Sequence, residues 1–266
     1  MASAHGIRIV PLYVRFGDEE FRAGVDLPTA EFWTRMVAPD APFPTTAAAS
    51  PGDFKDAFEA ELGGGADAVV CITVGGKLSA TFKSAELAAQ GLPAAEIHVV
   101  DSNSATMGTG ILALLAAEMA GAGVPAAEVA AELRARARDL DLYVALETIE
   151  YLRRGGRLSP ARAAIATVLS IKPIITVTDG LVETADRVRT RARARERVIE
   201  LLVARPVAWI AILHTPTADI DAFRADVLAR LPGGVEPVHT MTAVVGPSVG
   251  PHIGPGCVGG VVLLRR

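Results

Sequence analysis

The chain has 266 residues, half of them hydrophobic, and its 26 Lys and Arg against 30 Asp and Glu give a net charge of −4. That length holds one large domain or two medium ones around a substantial core, and the slightly acidic balance argues against nucleic acid as the main partner. Only 5% of the residues are aromatic, so Ala, Val, Leu and Ile must carry the core.

In chain order, "IRIVPLYVRFG" reads as one long strand or a strand pair ending in a Gly-Asp turn. "TAEFWTRMV" reads as a helix opened by Thr29, "APDAPFPTTAAASP" as a Pro-punctuated loop, and "GDFKDAFEAELGGG" as an amphipathic helix with a glycine stop. The apolar run "DAVVCITV" predicts a strand buried on both faces. "GGKLSATF" turns into the helix "KSAELAAQ", and "EIHVVDS" is the next buried strand, followed by a helix over 104–121. "PAAEVAAELRARARDL" is another helix and "DLYVALE" another strand. This alternation predicts an α/β lobe with a mostly parallel sheet over residues 1–150. Beyond it the pattern changes. "ARAAIATVL" reads as a short helix, and "IKPIITVTDGLVETADRVRT" alternates around Asp179-Gly180, which is hairpin chemistry. An Arg-rich helix, the strand "VAWIAILHT", a helix over 217–231, "VEPVHTMTAV" and the closing strand "VGGVVLLRR" complete a mixed-sheet α+β lobe over 151–266, with the boundary between 140 and 180. The fold class is therefore α/β, in two lobes.

Cys71 and Cys257 lie too far apart in sequence for a metal or redox spacing, and Cys71 reads as a small core residue. No secretory signal pattern is visible, and Glu118 interrupts the apolar stretch "MGTGILALLAAEMAGAGV". A cytoplasmic location, no metal and no cofactor are expected.

Several motif matches fail on context. "GPSVG" at 246–250 fits the G-x-S-x-G nucleophile elbow, but that motif needs a helix directly after the serine, and "PHIGPG" reads as non-helical. No acid follows Glu236, so the order of that triad is also impossible. "GTGILA" at 108–113 stands too far from its strand for dinucleotide binding; its glycines suit close helix–sheet packing instead. There is no phosphate-binding P-loop.

More informative are small hydroxyl residues after strands: Thr45 and Thr46, Ser79 and Thr81, Ser102 and Ser104. Loops at the carboxyl ends of strands in an open sheet converge on a ligand crevice, where hydroxyls and helix N-termini suit an anionic head group. Ser102 and Ser104 read as helix caps instead. His252 stands in a rigid Gly/Pro loop, an arrangement that displays a side chain for contact. In "YLRRGGRLSP", residues 151–160, three arginines surround two glycines. This stretch fits a helix C-cap, and it equally fits a turn holding fixed positive charge beside an anion.

Taken together, "PTTAAASPGDF", "GKLSATFKSAELAA", "IHVVDSNSATMGTG", "EYLRRGGRLS", "LSIKPIITVTDGLVE", "RVRTRARARERV" and "VGPHIGPG" resemble the DegV family of bacterial fatty-acid-binding proteins from about residue 6 to the end. The "LRRGGRLS…IKPI" and "HIGPG" blocks are the most specific. The resemblance implies a two-lobed fold, one DegV-like unit, holding a long-chain fatty acid between the lobes. It also implies delivery of that acid to a separate fatty acid kinase, with no chemistry of the protein's own. Thr45 or Thr46 and Ser79 would bind the carboxylate, with His252 and Arg154 or Arg157 nearby. The chain departs from the family in carrying Ala47 and Ala48 after the threonine pair and Lys77 in "VGGKLSAT", and in lacking the family's first strand and Asp-Ser loop. From that last difference either a mis-chosen start codon or a destabilised sheet beside the crevice is expected. Two other functions compete: an enzyme using His252 with a hydroxyl residue, and an interaction protein using the six arginines of residues 187–197. Glu183, Asp186 and Glu196 lie close to those arginines, which favours a solvated helix face.

Overall fold

The computed structural model describes residues 2–158, 171–216, 219–236 and 239–266. Strand β1 (Tyr13–Phe16) turns at Gly17 into β2 (Glu19–Arg22), and β3 (Thr45–Ala47) pairs antiparallel with the other edge of β1. The Pro-rich segment expected to be all loop therefore contains a short edge strand. Three residues with one small apolar member, Ala47, give too little alternation to reveal it. Helix α1 (Thr29–Met36) starts at Thr29 after Pro28, and Trp33 Nε1 donates to Val245 O at 2.8 Å, tying it to the second lobe.

In the first lobe, α2 (Pro51–Gly63) opens with a capping box between Ser50 and Asp53 and has Pro51 in its first turn. β4 (Ala68–Thr73) and β5 (Glu96–Asp101) pair in parallel, and α3 (Thr81–Gln90) connects them. Phe54, Phe58, Ala85 and Ala88 from α2 and α3 cover one face of this pair. The other face meets α4 (Met107–Gly121) and α5 (Ala126–Arg136) through Leu112, Val129 and Leu133. Helices meet both faces, which suits the uninterrupted apolar run of β4, but the strand expected to be fully buried is half-buried along most of its length because it also borders the cavity. Gly108 sits where a Cβ would collide with Ser104, so the helix packs closely there.

The second lobe is a six-stranded mixed sheet ordered β10-β9-β11-β6-β7-β8. Its strands are β6 (Leu140–Ala145), β7 (Lys172–Thr178), β8 (Leu181–Val188), β9 (Val207–His214), β10 (Thr240–Val244) and β11 (Val258–Leu264). Chain order puts β6 with the first-lobe strands, but it pairs antiparallel with β11 and β7. Backbone pairing, which sequence alternation cannot reveal, decides its sheet. β11 is buried along its whole length. Val258 and Val262 face helices α7 (Arg191–Leu202) and α8 (Ile220–Arg230), while Val261 and Leu263 face the core shared with α1 and α4. The β7–β8 hairpin turns at Asp179-Gly180, both with positive φ (50° and 72°), as a two-residue primed turn requires. The short helix expected at "ARAAIATVL" lies outside the described residues, and α8 begins at Ile220, capped by Asp219.

Three of the four arginines of α7 are engaged with partners: Arg191 with Glu147, Arg197 with Asp186 and Glu200, and Arg195 Nη2 with the carbonyl of Asp219. No helix among the described residues is long and apolar enough to cross a membrane.

Candidate functional site

The short helix α6 (Glu150–Arg154) ends at Gly155. Gly156 N donates to Arg153 O (3.2 Å) and Arg157 N to Leu152 O (3.3 Å), with Gly156 at φ 69°. This is a Schellman cap, which needs a residue at ease in the left-handed region. The capping reading of the double glycine therefore holds. The same turn also orients the arginines. Arg154, before the reversal, is exposed and lies 3.8 Å over the Phe43 ring. Arg157, after it, folds inward. Its Nη1 donates to Gly155 O (2.7 Å) and its Nε to Leu78 O (3.2 Å), so the guanidinium is fixed beside the loop that carries Ser79.

His252 lies in the one-turn helix α9 (Gly250–Ile253). Sequence reading made this stretch non-helical, but Pro251 occupies the first turn, where its missing N–H costs nothing. The helix is too short to build a nucleophile elbow around Ser248. Two contacts fix the loop. Gly254, at φ 74°, packs where any Cβ would strike the Tyr151 ring, and Cys257 N donates to Thr215 Oγ1 (2.8 Å). His252 Nε2 lies 3.0 Å from Thr46 Oγ1, whereas Nδ1 is buried without a partner. Gly155 is required here as well, since a Cβ there would collide with Nδ1. Burial, reinforced by the charge of Arg157, lowers the His252 pKa from 6.5 to about 4, so the ring is neutral at pH 7.

Ser79 precedes α3, and its Oγ lies 2.7 Å from Thr81 Oγ1 and accepts from Thr81 N (3.3 Å). The α3 N-terminus thus adds its own positive dipole end to this corner. Thr46, Ser79, Arg157 and His252 all line one cavity of about 1200 Å³. Thr45 and Arg154 do not. Thr45 is exposed because neighbouring residues on β3 face opposite ways. Ser102 and Ser104 are buried. Ser102 Oγ accepts from Ser104 N (3.2 Å) and pairs with Thr109 Oγ1 (3.0 Å), while Thr106 occupies the N-cap position of α4. Thr73 and Thr106, which sequence reasoning passed over, also line the cavity.

Away from this corner the wall is apolar, with Val70, Ile72, Ala113, Ala117, Leu142 and Val144 among its residues. On its rim, Arg8 of the N-terminal segment pairs with Glu61 of α2. Cys71 also faces the cavity, and burial pushes its thiol pKa up to about 12, which leaves it unreactive. Among the described residues no group of His, Cys, Asp or Glu could hold a metal ion.

The model of the family described as "Uncharacterised protein, DegV family" matches residues 1–265. The chain belongs to the DegV family. A DegV domain-containing protein of Streptomyces coelicolor is 33% identical over 265 residues, covering 98% of this chain and 92% of the relative. One from Mycobacterium tuberculosis is 36% identical over 260 residues, covering 95% and 88%. Among solved structures, a DegV family protein from Thermus thermophilus, described as fatty-acid-binding, superposes with a TM-score of 0.90 at 34% identity, covering 100% of this chain and 94% of that one. DegV of Bacillus subtilis, described as a fatty acid binding protein, gives 0.84 at 28%, covering 98% and 93%. The α/β two-lobed arrangement of this DegV protein matches both.

Proposed function

We propose that this protein binds one long-chain fatty acid in the cavity, with the carboxylate at Thr46, Ser79, Arg157 and His252, and presents it to a separate fatty acid kinase for acyl-phosphate formation. The observation that carries this reading is a large, mostly apolar cavity with hydroxyls, a fixed guanidinium and a helix N-terminus gathered in one corner. An acyl tail supplies the apolar surface such a cavity needs. Burying about 14 methylenes at ~0.8 kcal/mol each offers roughly 11 kcal/mol before the costs of association. The fatty-acid-binding descriptions of the Thermus thermophilus and Bacillus subtilis structures support the same ligand class. Presentation to a kinase is what the DegV resemblance implies, and the reaction would take place in the cytoplasm.

A hydrolytic enzyme built on His252 and Thr46 is the weaker reading. A histidine with its pKa near 4 is a poor general base at pH 7, and no third group orients its Nδ1. The carrier reading is tested by incubating the protein with palmitate and adding a fatty acid kinase and ATP. Acyl phosphate forming only when both proteins are present supports it. Turnover of an ester or acyl substrate by this protein alone contradicts it.

A further inference from the structure

The cavity of about 1200 Å³ is more than twice the size of palmitate, which fills roughly 500 Å³ at the ~30 Å³ that a water-sized group takes in a liquid. Two elements give its length. Every residue from Ala68, the start of β4, to Val74 lines it, and at 3.3 Å per residue that stretch runs about 20 Å. Helix α4 lines it from Met107 to Gly121, its first and last residues, about 21 Å at 1.5 Å per residue. Both elements lead away from the carboxylate corner. Ser79 N donates to Gly75 O (3.2 Å) and Gly75 N to Ser104 O (2.8 Å), so the end of β4 and the start of α4 lie beside the Ser79 loop. At the other end of β4, Ala66 N donates to Glu61 O (3.2 Å), so the Arg8–Glu61 pair marks the far end of the cavity. One leaflet of a membrane is half of its ~30 Å hydrocarbon core, so a tail of about 16–18 carbons reaches ~15 Å. Palmitate held at the corner therefore stops short of the far end.

The remaining length is accessible and apolar. On its packed faces α4 buries Ile111 and Leu112 completely. Toward the cavity it presents Ala113, Ala117 and Gly121, each one turn beyond the last. Ala113 and Ala117 are only half-buried, and a Cβ added at Gly121 would meet nothing within 4 Å. A short chain leaves this apolar surface without contacts, whereas a longer one covers it.

We infer that the cavity selects acyl chains of about 22–24 carbons over palmitate, in the ratio of its length to a ~15 Å tail, and that Ala113, Ala117 and Gly121 are the marks of a ruler along α4. This inference rests on the fatty-acid reading of the cavity and names its chain-length class. The test loads the protein from an equimolar mixture of myristate, palmitate, stearate, behenate and lignocerate on cyclodextrin, and reads the bound acids by native mass spectrometry. The carrier is the same for every variant, so only the cavity changes the profile. The wild-type profile peaks at behenate or lignocerate. Ala117→Phe lowers the ratio of bound behenate to bound palmitate at least about tenfold, the size expected when a few methylenes lose their burial. Ala113→Phe, one turn nearer the corner, moves the peak to shorter acids still, and Gly121→Phe cuts lignocerate most. Gly121→Phe gives the readout should Ala117→Phe fail to fold. A wild-type peak at myristate or palmitate, or an unchanged profile in the folded variants, overturns the ruler and leaves the fatty-acid reading standing. A folded wild type that loads none of the five acids overturns that reading itself.

Discussion

Ser79 Oγ stands beside Thr81 Oγ1 at the start of α3, on the loop whose Leu78 carbonyl accepts from Arg157. A carboxylate held there takes a hydrogen bond from Ser79 that an alanine cannot give. Ser79→Ala is therefore expected to weaken fatty acid binding by about 1.5–3 kcal/mol, the worth of a hydrogen bond to a charged group. Thermal stability should change little, because the hydroxyl is only half-buried. Isothermal calorimetry with palmitate measures the first and a melting curve the second; unchanged affinity removes Ser79 from the head-group corner. His252 gives a pH expectation. Its folded pKa lies below its unfolded value, so the unfolded chain binds the extra proton between about pH 6.5 and 4. The contribution of His252 to stability is complete above that window and is lost as the pH falls through it. His252→Gln should flatten this part of the stability profile in urea titrations run across those pH values. A carboxylate arriving beside the ring favours the imidazolium, so binding at pH 6 should take up protons. Calorimetry in buffers of different ionisation heat detects that uptake, and the same uptake in His252→Gln would contradict its origin at this ring.

At the scale of elements, the two lobes meet where the loop after β4 touches the β7–β8 hairpin. Lys77 Nζ donates to Asp179 O at 2.8 Å, and Gly180 lies close to Asn103. This exposed bond should be worth about 0.5–1.5 kcal/mol. If it latches the cavity mouth, Lys77→Ala speeds release of bound acid severalfold in stopped-flow displacement without lowering the melting temperature; an unchanged release rate rules the latch out. The turn between α6 and Arg157 makes a second expectation. Gly155→Ala keeps the helix but drives a methyl into His252 Nδ1. It should cost fatty acid affinity about as much as losing a head-group residue, roughly 1–3 kcal/mol, and equal affinity would show that the ring has room to move. The apolar runs of β4, β5 and β9, the hairpin turn at Asp179-Gly180 and most helices were legible because periodicity and turn chemistry are local signals. β3 was missed because Thr45–Ala47 has no apolar alternation, and α9 because Pro251 reads as a helix breaker except at a first turn. Choosing between Thr45 and Thr46, or Arg154 and Arg157, needed the strand pleat and the Schellman reversal, which sequence composition does not carry.

For the whole molecule, three sheets of different construction are held around one cavity by a few long-range ties. Trp33 reaches Val245, Arg157 reaches Leu78, and Thr46 reaches His252. Each tie joins segments distant in sequence, and the last two border the corner proposed for the carboxylate, so an acid bound there would add contacts across both lobes. A ligand that binds only the folded state stabilises it by mass action, by about 2.7 kcal/mol at a free concentration of 100 Kd. The measurement that bears most directly on this account is native mass spectrometry of the purified protein, before and after incubation with palmitate. The account predicts one long-chain fatty acid per chain, retained in the wild type and largely lost from the Ser79→Ala and Thr46→Val double variant. A folded wild type that carries no lipid and takes up none from palmitate would contradict it.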